Sequence, residues 1–333
     1  MDGMAQPEHA ARPLVTVVLV NRNGGRHVDM AFPSLARQSY PRLDVLVIDN
    51  GSTDGSCERV GREHPAVRVV RLGSNTGFSH ALNEGIRRAQ GAYILSMNFD
   101  VALDGRFVEK LVDALEARSE AGWAAGRLFR HPSDGPDRID CNGHYLLPSR
   151  YCYGYDPSHP DPADYGTARE VFGASACAAL YRVSMLRALA IDGEIFDEDL
   201  FAFFEDVDLD WRAQQAGYRC VYVPEAVGTH VRGGSGARPD GRAAALLASN
   251  RLLVMIKNDD VSDVMADIGP IVQRTLADAL RLLRRHPWGL VWAMARVARR
   301  APAMIRKRRH VRRRRSVTRA YLSSLRLKTA FLG

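Results

Sequence analysis

Nothing in these 333 residues approaches the run of roughly eighteen apolar side chains that a membrane-crossing helix needs, and the opening MDGMAQPEHAARP lacks the apolar core of a secretory leader. A cytoplasmic chain is expected. Cysteine is sparse and scattered: Cys57, Cys141, Cys152, Cys177 and Cys220 include no CxxC pair, which speaks against a zinc ribbon or a disulfide framework and fits a reducing compartment. They read as small buried hydrophobes. No internal repeat of fixed period is visible. Acid is missing from one end: residues 281–333 hold 17 of the 46 Lys and Arg and no Asp or Glu, so residues 1–280 carry 29 basic against 38 acidic side chains, a net of −9. The overall charge of +8 belongs to a basic tail on an acidic body.

What is present is an alternation of strands and helices. Leu14–Val20 is a β-branched run of the kind that makes a buried parallel strand, ending at the turn cluster Asn21 to Gly25, with a helix expected over about His27–Gln38. Leu43–Ile48, Val67–Leu72 and Ala92–Met97 repeat the pattern, stopped by Asp49 to Gly55, Gly73 to Gly77 and Asn98-Phe99-Asp100, with a helix over about Phe78–Ala89. This rhythm predicts a Rossmann-like, doubly wound, mostly parallel sheet. Ligands bind beyond the carboxyl ends of such strands, so the polar clusters there point to a nucleotide or similar polar ligand.

Further on, Asp104–Glu120 reads as helix and Trp123–Phe129 as strand. Arg130–Arg169, rich in Pro, Gly, Asp and Tyr, reads as hairpins and long loops of a substrate-binding kind. Glu170–Arg182 reads as one strand whose Gly173-Ala174-Ser175 permits close approach of a ligand or another backbone. FFEDVDLDWRAQQAGYRC, Phe203–Cys220, sets Glu205, Asp206, Asp208 and Asp210 at a helix start. Either they are solvated acids favoured by the helix dipole, or one is a general base whose neighbour helps set its pKa. Arg219–Val223 is a short strand, and THVRGGSG, Thr229–Gly236, is a glycine-rich loop carrying His230. From Arg242 the pattern is helical, broken by Pro287 and Pro302 into short amphipathic pieces. Trp288, Trp292 and Met294 beside dense arginine suit a helix lying on an anionic membrane surface. A nucleic-acid-binding tail using Arg306–Arg315 is the rival, and a solvated charge run the bland alternative; the interleaved apolar residues favour the membrane.

A carboxylate just past a strand, such as Asp100, can hold a hard divalent cation that in turn holds the phosphates of a sugar nucleotide. VVLVNRNG, VIDNGSTDGS, NTGFSHALNEGI, Asn98-Phe99-Asp100, FFEDVDLDWR and His230 with Ser235 beyond it occur here in one order. Over about Leu14–Ser235 the chain resembles a family 2 inverting glycosyltransferase of the GT-A fold, rhamnosyltransferase-like and bacterial. The resemblance implies that Asn21 and Asp49 contact the nucleoside and that Asn75, Gly77, Phe78 and Asn83 shape the floor beneath it. It further implies that Asp100 is the principal ligand of Mg2+ or Mn2+ with Asn98 beside it, that His230 is a second ligand, and that Asp206 is the general base with Glu205 its partner. The family's metal element is Asp-x-Asp; here the first acid is Asn98, which supplies no second charge. Phe99 between them has no evident role.

The expected organisation is a tail over residues 1–13, a glycosyltransferase domain over 14–236 and a C-terminal amphipathic, basic helical region over 237–333. The expected function is metal-dependent, inverting transfer of a sugar, such as rhamnose from a dTDP donor, to a lipid-linked or polysaccharide acceptor at the inner face of the cell membrane in cell-surface glycan synthesis. A noncatalytic sugar-nucleotide or glycan-binding module, and a nucleic-acid-binding protein acting through the tail, are the alternatives.

Overall fold

Val15–Asn21 forms β1, buried on both faces as a central strand must be. It pairs in parallel with β2 (Leu43–Asp49) on one side and β4 (Tyr93–Asn98) on the other, and β3 (Arg68–Arg71) adds in parallel beyond β2. The computed structural model describes residues 12–131, 138–156, 162–231 and 241–327. Residues 1–11, Ser235 with most of the glycine-rich loop, and the 236/237 boundary lie outside them. The intervening helices are α1 (Val28–Ala36), α2 (Ser56–Glu63) and α3 (Phe78–Arg88), close to expectation.

Past β4 the chain adds β5 (Val101–Leu103), α4 (Phe107–Glu116), β6 (Ala121–Arg130), β7 (Ile139–Cys141), a hairpin of β8 (Tyr145–Leu146) and β9 (Cys152–Tyr153), then β10 (Arg169–Val171), β11 (Ala178–Arg182) and α5 (Val183–Leu189). α6 (Glu205–Gln215) and β12 (Arg219–His230) complete the sheet, whose order is β10-β12-β6-β11-β4-β1-β2-β3. β6 and β12 are parallel, but β11 runs antiparallel between β4 and β6, and β10 runs antiparallel to β12. The sheet is thus mixed and mostly parallel, with helices on both faces. One apolar layer packs α1 and α4 through Phe32, Leu35, Phe107 and Leu111; the other packs α3, α5 and α6 through Leu82, Ile86, Leu186 and Leu209.

Two expectations fail here for local reasons. The strand expected over Glu170–Arg182 is two strands, because Phe172–Cys177 turns aside to receive carboxylates from α6. A Cβ on Gly173 would lie 1.9 Å from Asp210 Oδ2, so only glycine fits. The C-terminal helices are α7 (Gly241–Asn258), α8 (Val261–Ala266), α9 (Ile268–Arg285), α10 (Pro287–Arg313) and α11 (Arg319–Ser324). Pro287 begins α10, where its missing N–H costs nothing, but Pro302 lies inside a continuous helix of 27 residues. Packing against α7 carries the helix through that position: Met304 of α10 and Leu253 and Val254 of α7 share an apolar cluster with Leu200, Phe204, Val207 and Trp211.

The basic run is not a disordered tail. Lys307 is buried against Asp197 (2.6 Å) and Asp199 (3.0 Å), Arg315 reaches Asp260 (2.5 Å), and Arg319 and Arg326 reach Asp263 (2.6 and 2.8 Å). Part of the tail's positive charge is therefore the internal complement of the acidic body. Among the described residues no helix is long and apolar enough to cross a membrane.

Candidate active site

The carboxyl ends of β1, β2 and β4 open on one cavity of about 580 Å³, closed on its far side by Phe201–Val207. Its first wall is built by turns. Asn50, one residue past β2, donates from Nδ2 to Asn75 Oδ1 and to the Gly77 carbonyl (both 3.2 Å), and its Oδ1 accepts from Thr76 N (2.8 Å). Asn75 and Phe78 face the cavity. Gly77 lies beneath them at φ +93°, where a Cβ would sit 2.6 Å from Phe201.

Asn21 and Asp49, expected to contact the nucleoside, and Asn83, expected to shape the floor beneath it, do not line this cavity. Asn21 is fully buried, donating to Ser56 Oγ (2.7 Å) and Cys57 Sγ (3.2 Å) and accepting from Gly24 N (3.0 Å). Asp49 is buried and caps Ser52 N (2.9 Å). Asn83 ties α3 to the Phe196 backbone in both directions (2.8 and 2.9 Å) and to Glu198. Their amides and carboxylate satisfy backbone that would otherwise be buried unpaired, so they shape the wall from behind. Asn50 and Arg22 stand at the surface instead.

The second wall is made by sheet pairing. β5 and β12 are antiparallel with His230 opposite Val101, and Val231 N donates to the Asp100 carbonyl (2.8 Å), which brings His230 Nε2 to 3.4 Å from Asp100 Oδ1. His230 Nδ1 donates to buried Asp140 (2.7 Å). Asp100 and Asp140 outweigh burial and raise the imidazole pKa to about 9. Asn98 lines the cavity beside them, and Phe99 is the anchor of the turn, buried edge-on against Phe32 at 5.5 Å and under Gly24.

The third wall is the acidic helix. Phe201, Phe203 and Phe204 all have positive φ (67°, 69° and 67°), a conformation that costs a side-chain-bearing residue on the order of 1–3 kcal/mol each. Outside contacts hold it. Asn250 Nδ2 on α7 donates to the carbonyls of Leu200, Ala202 and Phe203 (2.9, 2.8 and 2.8 Å), and Arg296 on α10 donates to Asp199 O, Leu200 O and Asn250 Oδ1. The turn delivers Asp206 into the cavity, its side chain 15% exposed, accepting from Ala176 N (3.2 Å) and Val207 N (2.8 Å).

Glu205 is buried, and one of its carboxylate oxygens has no hydrogen-bond partner; burial first, then Asp206, push its pKa up to about 8. Two adjacent carboxyls are thereby set apart, Glu205 held protonated near neutrality and Asp206 facing the ligand space. Below them lies a pair that sequence reasoning missed. His144 Nδ1 donates to Asp210 Oδ2 (2.6 Å) with Nε2 3.7 Å from Asp206 Oδ2, and despite full burial its pKa is raised to about 9, chiefly by Asp206 and Asp210. Its only signal was its place in the long loop-rich segment.

Asp208 and Asp210 are not solvated. Both are fully buried, and Asp208 is paired with Lys257 (2.8 Å) and Arg212 (2.9 Å).

The sequence model of glycosyl transferase family 2 matches residues 16–189, more than half of the chain. The chain belongs to this family. A relative from Mycobacterium tuberculosis, N-acetylglucosaminyl-diphospho-decaprenol L-rhamnosyltransferase, is 29% identical over 251 residues, covering 68% of this chain and 78% of that one. Two solved structures share the fold. GalNAc-T7 with UDP, GalNAc and Mn2+ superposes with a TM-score of 0.56 at 15% identity, over 77% of this chain and 51% of that one. A mannosyltransferase of Pyrobaculum calidifontis with GDP-Man and Mn2+ gives 0.50 at 20% identity, over 95% and 84%. The GT-A fold and rhamnosyltransferase-like glycosyltransferase class expected from the motifs are those found.

Proposed function

We propose that this glycosyltransferase moves a sugar, with dTDP-rhamnose the first donor to try, onto a hydroxyl of a lipid-linked acceptor at the inner face of the cell membrane. The observation that carries the reading is a single cavity with Asp100 and His230 on one wall and Asp206 on another, above loops of the family's nucleotide-binding kind. The mycobacterial relative's own substrate is a sugar on diphospho-decaprenol.

The donor set suits a divalent cation. Because His230 Nδ1 is bonded to Asp140, its Nε2 is the nitrogen left facing Asp100, the usual arrangement of a ligating histidine. Among the described residues no three His, Cys, Asp or Glu form a closed metal cage, so Asp100 and His230 would hold Mg2+ or Mn2+ together with donor oxygens. The chemistry such an ion supplies when bound is neutralisation of charge on the leaving diphosphate. Asp206 takes the acceptor's hydroxyl proton as that oxygen bonds to the anomeric carbon and the carbon–phosphate-oxygen bond breaks, inverting the centre. His144, charged beneath Asp206, orients its carboxylate, and protonated Glu205 avoids a second negative charge beside it. Arg22 and Asn50 lie where a nucleotide would be oriented.

Membrane attachment is part of the proposal. Val272, Leu276, Leu280 and Leu283 form an exposed apolar stripe on α9, and Trp288, 82% exposed, Val291 and Met294 continue it on α10 among arginines. Release of nucleoside diphosphate from a panel of sugar nucleotides, with and without Mg2+ or Mn2+, tests the reaction; no release from any donor would sink it. Failure to sediment with anionic liposomes at physiological salt would remove the membrane part.

A further inference from the structure

A second cavity, about 630 Å³, lies between α7, α9 and the start of α10 and meets the first at Tyr151 and Leu247, which line both. One side is apolar, made by Ala244, Leu247 and Ala248 of α7 and Leu282 of α9. The other is cationic. Arg274, Arg281 and Arg285 share one face of α9, since they recur at helical spacing, and the exposed stripe of Val272, Leu276, Leu280 and Leu283 occupies the opposite face.

These three arginines are not equivalent. Arg274 lies over the Tyr151 ring at 3.8 Å and pairs with Asp278 at 3.0 Å, and Asp278, the one acid among the described residues lining the cavity, is also 3.6 Å from Arg251. Arg281 and Arg285 make no ion pair or hydrogen bond with any described residue. Two uncommitted guanidinium groups beside an apolar wall suit a ligand with adjacent phosphates and a hydrocarbon chain, because guanidinium takes phosphate oxygens in pairs while aliphatic carbon is favoured against Ala and Leu. Tyr151 also packs edge-on against Phe204 at 6.4 Å, and Phe204 directly precedes Glu205 and Asp206, so the shared wall connects this cavity to the proton acceptor.

We propose that the second cavity holds the diphosphate and first isoprenyl units of a lipid-linked acceptor, through Arg281 and Arg285, and presents the attached sugar past Tyr151 to Asp206. This rests on the glycosyl-transfer reading for its purpose, not for its test. Calorimetric titration of the full chain with farnesyl diphosphate, in EDTA so that no divalent ion contributes at Asp100 and His230, reads the site directly. The expected result is saturable binding that the double variant Arg281→Gln, Arg285→Gln weakens by about tenfold or more with an unchanged melting temperature. Arg22→Gln, in the first cavity, should leave it intact.

Absence of binding to the wild-type chain, equal affinity in the double variant, or loss confined to Arg22→Gln would each overturn the assignment. Inorganic diphosphate binding as tightly as farnesyl diphosphate would overturn its lipid part. If the site binds farnesyl diphosphate through Arg281 and Arg285 but no sugar nucleotide is turned over, the site stands and the transfer reading falls. Turnover with no farnesyl diphosphate binding gives the reverse.

Discussion

Two of the three walls of the candidate active site, the nucleotide side and the acid side, are held together in opposite ways. On the nucleotide side, Asn21 bonds to Ser56, Asn50 to Asn75 and Thr76, and Asp49 to Ser52, so each partner lies within about one βα unit of the other. On the acid side the turn before Asp206 is gripped by Asn250 and Arg296, and the helix below it by Lys257, all from helices far along the chain. The turns of the first wall are held mainly by local bonds, and the acidic turn is imposed from outside. The three phenylalanines at positive φ are all on the acid side, whereas the nucleotide side carries Asn23 at φ 55°, a residue type that tolerates this conformation.

The comparison is most directly broken at Asp206 itself. Asp206→Asn should retain donor binding, which belongs to the other wall, and lose about 10²- to 10⁴-fold in turnover; near-wild-type turnover would end its role as base. Lys257→Met comes next. It leaves Asp197 and Asp208 buried without their shared cation, so chemical denaturation should show a loss of about 3–5 kcal/mol. Asn250→Ala removes the donor to three carbonyls, and should lower kcat more than the donor KM, whereas Asn50→Ala should raise the donor KM; equal effects on both parameters would erase the distinction between walls.

The smallest effect expected is a pH dependence of stability. The folded pKa of His144 is raised to about 9, so its contribution is complete below the unfolded value of about 6.5 and is lost as pH rises through 9. Glu205, raised to about 8, acts in the same direction: its neutral form suits the fold, and the cost of ionising it grows as pH climbs from the ordinary carboxylate range to 8. Melting temperature should therefore fall between about pH 6 and pH 9, and His144→Gln should flatten the upper part of that fall. An unaltered profile in His144→Gln would remove the buried pair from the account.

The same contrast explains what could be read in advance. β1 to β4, their turns and the acidic helix follow from apolar runs and turn residues close in the chain, and the family's motifs lie in those stretches. Asn21 and Asp49 were expected to face the ligand because an amide or carboxylate looks the same in sequence whether it points to a cavity or caps a buried backbone. His144, Tyr151, Asn250 and Arg296 could not be placed, since nothing local in a loop-rich segment or an amphipathic helix names a partner about fifty to a hundred residues away. Gly173 was half legible: close approach was foreseen, but the approaching group is the Asp210 carboxylate. The basic tail was only partly legible, because charge composition does not say which arginines meet the acidic body.

The grip of Asn250 on three carbonyls of one turn also bears on how this architecture can be inherited and recombined. The family match ends at residue 189, before the acidic turn, and the residues that hold that turn begin after residue 240. A chimera that borrows the sheet from one relative and the terminal helices from another would inherit the turns of the first wall whole and Asp206 without its own clamp. The unit of exchange is the sheet together with α7 and α10, and any graft of a new acceptor specificity has to travel with both.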